Sequence, residues 1–144
     1  METQMLLYLK QAQAAMHNAY TPYSHFRVGA CLVCEDGSVY TGCNIENASY
    51  GVTICAERVA LFKAVSEGKR TFSLLALTSD SEEITYPCGI CRQALSEFAP
   101  HLTIVCASSQ LTDAKIHFLD QLLPYSFSKE DFCDDVDSSW GTAG

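Results

Sequence analysis

At 144 residues, with 48% hydrophobic and 18% charged side chains, the chain has the apolar content of a single folded domain and not of a disordered segment. Its formal net charge of −8 argues against a nucleic-acid polymer as partner, because neutralising phosphates takes clusters of Lys and Arg. A small neutral substrate stays open.

Residues 3–19 place Met5, Leu6, Leu9, Ala12 and Met16 at helical spacing, which predicts an amphipathic helix ended by the Pro22 turn. FRVGACLVC and SVYTGCNIE flank Asp36-Gly37, the signature of a β-hairpin. A second helix is expected over 54–67, with Thr53 as N-cap and Gly68 as its stop. FSLLALTS, residues 72–79, reads as a buried strand, and a third helix follows from about Pro87 to Phe98. LTIVCAS, residues 102–108, is a further strand, and KIHFLDQLLPYSF suggests a short last strand and a helical turn before Pro124. The strand–helix–strand run from 72 to 108 predicts a crossover and hence a parallel pair. The expectation is an α/β fold, a three-layer α/β/α domain around a mixed five-stranded sheet, occupying residues 1–127. Residues 128–144 read as an acidic, flexible tail.

The start of the chain, METQMLLYLKQAQ, lacks the basic region, apolar run and cleavage site of a signal peptide, and no apolar stretch is long enough to cross a bilayer. A cytoplasmic location without a membrane partner is expected, with the eight cysteines reduced. Clustered thiols then point to metal or catalytic use.

The helix TICAERVALFKAV is apolar nearly all round, so both of its sides should be covered, one by the sheet and the other by a third layer or a partner subunit. Glu57 and Arg58 nevertheless sit in its first turns. A structural ion pair at the helix start would account for them, and so would a use for the charge. Cys55 falls beside them, where exposed backbone N–H groups favour a thiolate. YPCGICRQ places Cys88 and Cys91 at the equivalent point of the third helix, with Pro87 near its N1 position. Three thiolates and an open fourth position describe a catalytic zinc site, with Zn²⁺ bound by Cys55, Cys88 and Cys91. A redox CxxC would follow an early strand and a Trp, which this one does not. Cys31 and Cys34 lie three apart in a strand and so on opposite faces, unable to chelate together. They read, with Cys43, Cys106 and Cys133, as small packing residues. Asn44 and Glu46, two apart on an expected strand, share a face and would suit a pair of sugar hydroxyls as well as an exposed polar strand end. Phe26 taken alone reads as a core aromatic and Phe127 as an anchor of the tail.

CAE followed downstream by PCGICRQ resembles the zinc deaminase signature of a ligand, one residue, a Glu and then P-C-x-x-C. FRVGACLV, GCNIENASYG, TICAERVA, PCGICRQ and LLPYSF fall in the order of the cytidine deaminase family, in its small homotetrameric class with Cys as first ligand, over roughly residues 20–127. The resemblance implies zinc-dependent hydrolysis of cytidine and deoxycytidine to uridine and deoxyuridine, with one Zn²⁺ per subunit. It implies that Glu57 shuttles the proton and that Arg58 hydrogen-bonds to the zinc thiolates. Phe26 would pack on the pyrimidine, Asn44 and Glu46 would hold the ribose hydroxyls, and the backbone of Ala56 would contact the ring carbonyl. Tyr50 and Phe127 would close the site from neighbouring subunits of a homotetramer. Tyr86 stands where the family usually has Ser, and Ile90 where it usually has Ala. The rival readings are a zinc deaminase of another amino-heterocycle and a non-catalytic zinc module, which would give Glu57 no use.

Overall fold

The computed structural model describes residues 2–132. Helix α1 spans Thr3–Met16, and the hairpin strands are β1, Val28–Cys34, and β2, Val39–Cys43. A 3-10 turn at Tyr50–Val52 leads into α2, Ala56–Ser66, then β3, Phe72–Ser79, and α3, Gly89–Ser96. Strands β4, Thr103–Ala107, and β5, Ala114–Phe118, the short α4, Leu119–Leu122, and a 3-10 turn at Lys129–Asp131 complete the described residues. Residues 133–144 of the expected tail, with Cys133, lie outside the described residues. No helix among the described residues is long and apolar enough to cross a membrane.

The five strands lie in the order β2-β1-β3-β4-β5. The crossover through α3 makes β3 and β4 parallel, and the other neighbouring pairs are antiparallel. Strand alternation divides the core in two. On one face Cys31, Val33, Ala76 and Val105 pack under Leu9 and Ala12 of α1. On the other, Ala30, Leu32, Leu75, Leu77 and Ile104 meet Ala60, Leu61 and Ala64 of α2 and Leu95 of α3. The sheet is therefore sandwiched between helical layers, as its pattern predicts, and Cys31 and Cys34 fall in different cores.

Two glycines set how close the helices come. A Cβ on Gly29 would lie 1.9 Å from the Ala12 carbonyl oxygen of α1. A Cβ on Gly42 would lie 2.3 Å from the Ala56 carbonyl oxygen and 2.7 Å from the Ala60 nitrogen. The first turn of α2 thus rests directly on the backbone of β2.

Several expectations are corrected. The N-cap of α2 is Cys55 and not Thr53, whose hydroxyl instead accepts the Asn47 N–H at 3.2 Å. The N-cap of α3 is Cys88, one residue beyond Pro87, which is buried in front of the helix. Neither helix has a side-chain cap, so both sulfurs are free to point elsewhere. Asn44 and Glu46 lie past the end of β2, with Ile45 between them bridging both Tyr20 and Ile54. The second side of α2 is left open by the described residues of this chain, with Ala56, Glu57, Ala60, Leu61 and Ala64 covered and Phe62 48% exposed, which leaves a partner subunit as the other expected cover.

Candidate metal centre and active site

The C-terminal end of β3 and the run-out of β2 deliver the starts of α3 and α2 to the same end of the sheet, where ligands bind in open α/β folds. The Sγ atoms of Cys55, Cys88 and Cys91 converge there, all within 4.8 Å of one another. Cys55 and Cys88 stand 3.7 Å apart. A tetrahedral centre with Zn–S bonds of about 2.3 Å has edges of about 3.8 Å, so this spacing fits one ion and is far too long for a disulfide. Three soft donors with one side open, two of them N-caps and Cys91 in the first turn of α3, fit a catalytic zinc ion. Cys88 and Cys91 are thus part of a three-thiol cluster and not an isolated CxxC pair.

The electrostatics follow from this packing. Hydrogen bonding from Cys91, then from Arg58 and Cys88, holds the Cys55 thiol down to about 5 against the effect of burial. Cys91, which keeps the shared proton and is itself buried, is pushed up. A metal replaces such protons and claims all three sulfurs as thiolates. Arg58, three residues past Cys55 on α2, donates from its Nη2 to the Cys55 Sγ at 3.5 Å, while its buried Nε has no partner. Glu57 is 3% exposed, and desolvation pushes its carboxyl up to about 7, with the nearby Cys55 charge adding to the rise. The structural ion pair open from sequence is not formed. Arg58 turns to sulfur, and Glu57 is a buried carboxyl without a cationic partner at salt-bridge distance among the described residues.

The expected substrate contacts form a second cluster. The Asn44 amide accepts the Val28 N–H at 2.9 Å and donates to the Phe26 carbonyl at 2.8 Å. Phe26 is 40% exposed and not a core aromatic. Glu46 accepts the N–H groups of Tyr23 and Ser24 at 3.0 and 3.1 Å and the Ser24 hydroxyl. These bonds hold its carboxyl below its ordinary range. Tyr50, 74% exposed, sets its ring against Tyr23 with centroids 5.6 Å apart. Tyr23, Ser24, Glu46, Tyr50 and Thr53 line an open cavity of about 400 Å³. Ala56, the first residue of α2, presents one of the N–H groups that a helix start leaves without an intrahelical acceptor. Phe127 belongs to neither cluster. It is exposed and stacked on Phe132, and its carbonyl accepts the Gln93 amide at 2.7 Å.

Some residues of the site were not singled out from sequence. Arg92, four residues past Cys88, donates to the Pro87 carbonyl at 2.7 Å and the Leu122 carbonyl at 2.8 Å, fixing the entry of α3 against α4. Its signal was its place inside PCGICRQ. Ser24 carries no such signal, since its partner lies 22 residues away. Tyr86 leans its ring on His117 of β5, with centroids 5.6 Å apart.

Comparison with known proteins agrees with this geometry. The model of the cytidine and deoxycytidylate deaminase zinc-binding region matches residues 2–107. The cytidine deaminase of Halalkalibacterium halodurans is 48% identical over 134 residues, spanning 93% of this chain and all of that one. That of Sporosarcina psychrophila is 47% identical over 123 residues, 85% of this chain and 90% of the other. Among solved structures, the cytidine deaminase of Burkholderia pseudomallei superposes with a TM-score of 0.82 at 42% identity, covering 88% of this chain and 100% of that one. That of Mycobacterium tuberculosis gives 0.76 at 36% identity, over 88% and 98% of the two chains.

Proposed function

The chain belongs to the cytidine and deoxycytidylate deaminase family, and from that premise we propose that it removes the 4-amino group of cytidine and deoxycytidine by zinc-dependent hydrolysis, giving uridine or deoxyuridine and ammonia. The observation that carries the reading is Glu57, a buried carboxyl two residues past Cys55 and beside the three-thiol cluster.

When bound by Cys55, Cys88 and Cys91, zinc supplies a Lewis acid that makes water a nucleophile near neutral pH. Three thiolates against a divalent ion leave a net formal charge of −1, and Arg58 on the Cys55 sulfur, with the two helix N-termini, draws that charge off. Glu57 accepts a proton from the attacking water and hands it to ring N3, so that C4 becomes electrophilic and takes the water oxygen. The same carboxylate then takes the proton of the new C4 hydroxyl and delivers it to the amino group, which leaves as ammonia as the C4 carbonyl forms. Phe26 packs on the base, the Ala56 N–H meets the ring carbonyl, and Asn44 and Glu46 hold the ribose hydroxyls.

Residues 1–127 form the catalytic domain of a cytoplasmic enzyme of pyrimidine nucleoside salvage, assembled as a homotetramer with shared sites. Support comes from the apolar side chains left on the surface: Val52, Phe62, Ile90, Ile116 and Phe118 are each about half exposed or more, and so are Tyr50 and Phe127, which close the site of a neighbour.

The test is incubation of zinc-loaded protein with cytidine, following uridine, beside Glu57→Gln. Turnover by the wild type alone supports both reaction and proton shuttle. Turnover by both removes Glu57 from its role, and turnover by neither moves the substrate to another amino-heterocycle.

A further inference from the structure

The loop from Thr21 to Phe26 is built around one hydroxyl. Ser24 Oγ donates to Glu46 Oε2 and accepts the Phe26 N–H at 3.0 Å. The Ser24 and Tyr23 N–H groups both close on Glu46 Oε1. The loop accepts a left-handed backbone at His25, φ 56°, to make this turn, a conformation that costs a non-glycine residue energy. On its far side Phe26 is held through its carbonyl by Asn44. One side chain therefore spans from the residue under the base to the carboxylate under the sugar, and it lines the cavity beside them. Nothing about the protein's stability requires this. Ser24 and Phe26 are exposed, no hydrophobic cluster packs on them, and an exposed Glu–Ser contact contributes little to folding.

We propose that Ser24 is a positioning residue for nucleoside binding, fixing the Glu46 carboxylate in register with Phe26 so that sugar and base are gripped together. The inference rests on the reading of Glu46 as a sugar-hydroxyl ligand. Glu46 as an anion is acceptor-only; with two N–H groups on Oε1 and the Ser24 hydroxyl on Oε2, the capacity left for a further donor is on the oxygen that Ser24 orients. Without that donor Oε2 is free to turn about the Oε1 that the Tyr23 and Ser24 N–H groups still hold, and the ordering cost falls on substrate binding and not on the chemical step at C4.

The test compares Ser24→Ala, Ser24→Thr and Glu46→Gln with the wild type on cytidine, 2′-deoxycytidine and 3′-deoxycytidine. Ser24→Ala is expected to raise KM for cytidine about tenfold, the size of one charge-assisted hydrogen bond, with kcat within about twofold. Ser24→Thr, which keeps the hydroxyl, is expected to restore most of the loss. The penalty is expected to shrink to about twofold on the deoxynucleoside that lacks the hydroxyl Glu46 accepts, the remainder reporting the Phe26 arm. An equal KM rise on all three nucleosides, or a fall in kcat at unchanged KM, overturns the proposal. If Glu46→Gln raises KM and Ser24→Ala does not, Ser24 alone loses its role. If Glu46→Gln leaves KM unchanged on all three, the reading of Glu46 itself is wrong.

Discussion

Replacing Gly42 by Ala tests how the fold aims the site. The new Cβ would stand 2.3 Å from the Ala56 carbonyl oxygen and 2.7 Å from the Ala60 nitrogen, whereas ordinary contact begins near 3.4 Å. Both obstacles are backbone, so no side chain can swing aside, and α2 has to retreat from β2 by about 1 Å. Overpacking of this kind costs about 1–3 kcal/mol, which lowers Tm by about 3 °C for each kcal/mol in a chain of this size. The larger effect falls on catalysis. Cys55 and Glu57 ride on the displaced turn, while Cys88 and Cys91 are fixed to β3 and α3. A misplacement of about 1 Å in a reacting group costs about a hundredfold in rate. The expected result is therefore a kcat/KM for cytidine down about a hundredfold with a Tm down by several degrees, read by uridine formation and differential scanning calorimetry. A variant with wild-type kcat/KM and unchanged Tm would refute the packing of α2 on β2 and the transmission of that packing to the metal ligands.

Glu57→Gln keeps its shape in the buried site and is expected to retain zinc by metal analysis while losing about 10³-fold or more in kcat. Arg58→Ala removes the donor on the Cys55 sulfur and is expected to lower kcat/KM about 10- to 100-fold with little change in thermal stability; unchanged kinetics would assign the charge compensation to the helix N-termini alone. The Arg27 guanidinium, bidentate on Asp80 at 3.0 Å for each bond, holds that carboxyl below its ordinary value of 3.8. The stability it adds is present above that value and lost as pH falls through the depressed folded value. The stability gap between wild type and Asp80→Asn is thus expected to be flat from about pH 5 to 8 and to narrow below about pH 4, and a gap that widens in acid would contradict the pairing.

Sequence reasoning succeeded where the signal was local or periodic. The nearly unbroken apolar runs VGACLVC and FSLLALTS marked buried strands, because a strand covered on both faces has no polar side to alternate with. The three thiols were legible because each stands at a helix start, and helix starts that follow strands of one sheet end meet there. What was not legible depended on contacts made at long range. Thr53 has the chemistry of an N-cap, but Asn47 takes its hydroxyl, and the helix begins three residues later. Asn44 and Glu46 share a neighbourhood through the 20–26 loop and not through a strand face. Ser24 gives no sign in the sequence that its hydroxyl joins them.

The two halves of the thiol cluster are 33 residues apart in sequence, with α2 and β3 lying between them. Any ion that grips both halves is also a clasp on the chain. Tying a loop of that length removes denatured-state freedom worth about 3–4 kcal/mol by the chain-entropy reckoning used for disulfides. The atoms that activate water would then be the atoms that keep the molecule shut. A lost ligand cannot be repaired by stabilising the fold elsewhere without leaving the chemistry broken, and a chelator attacks cohesion and turnover at a stroke. Glu57, which holds no metal, can be changed by evolution or an experimenter without opening that clasp.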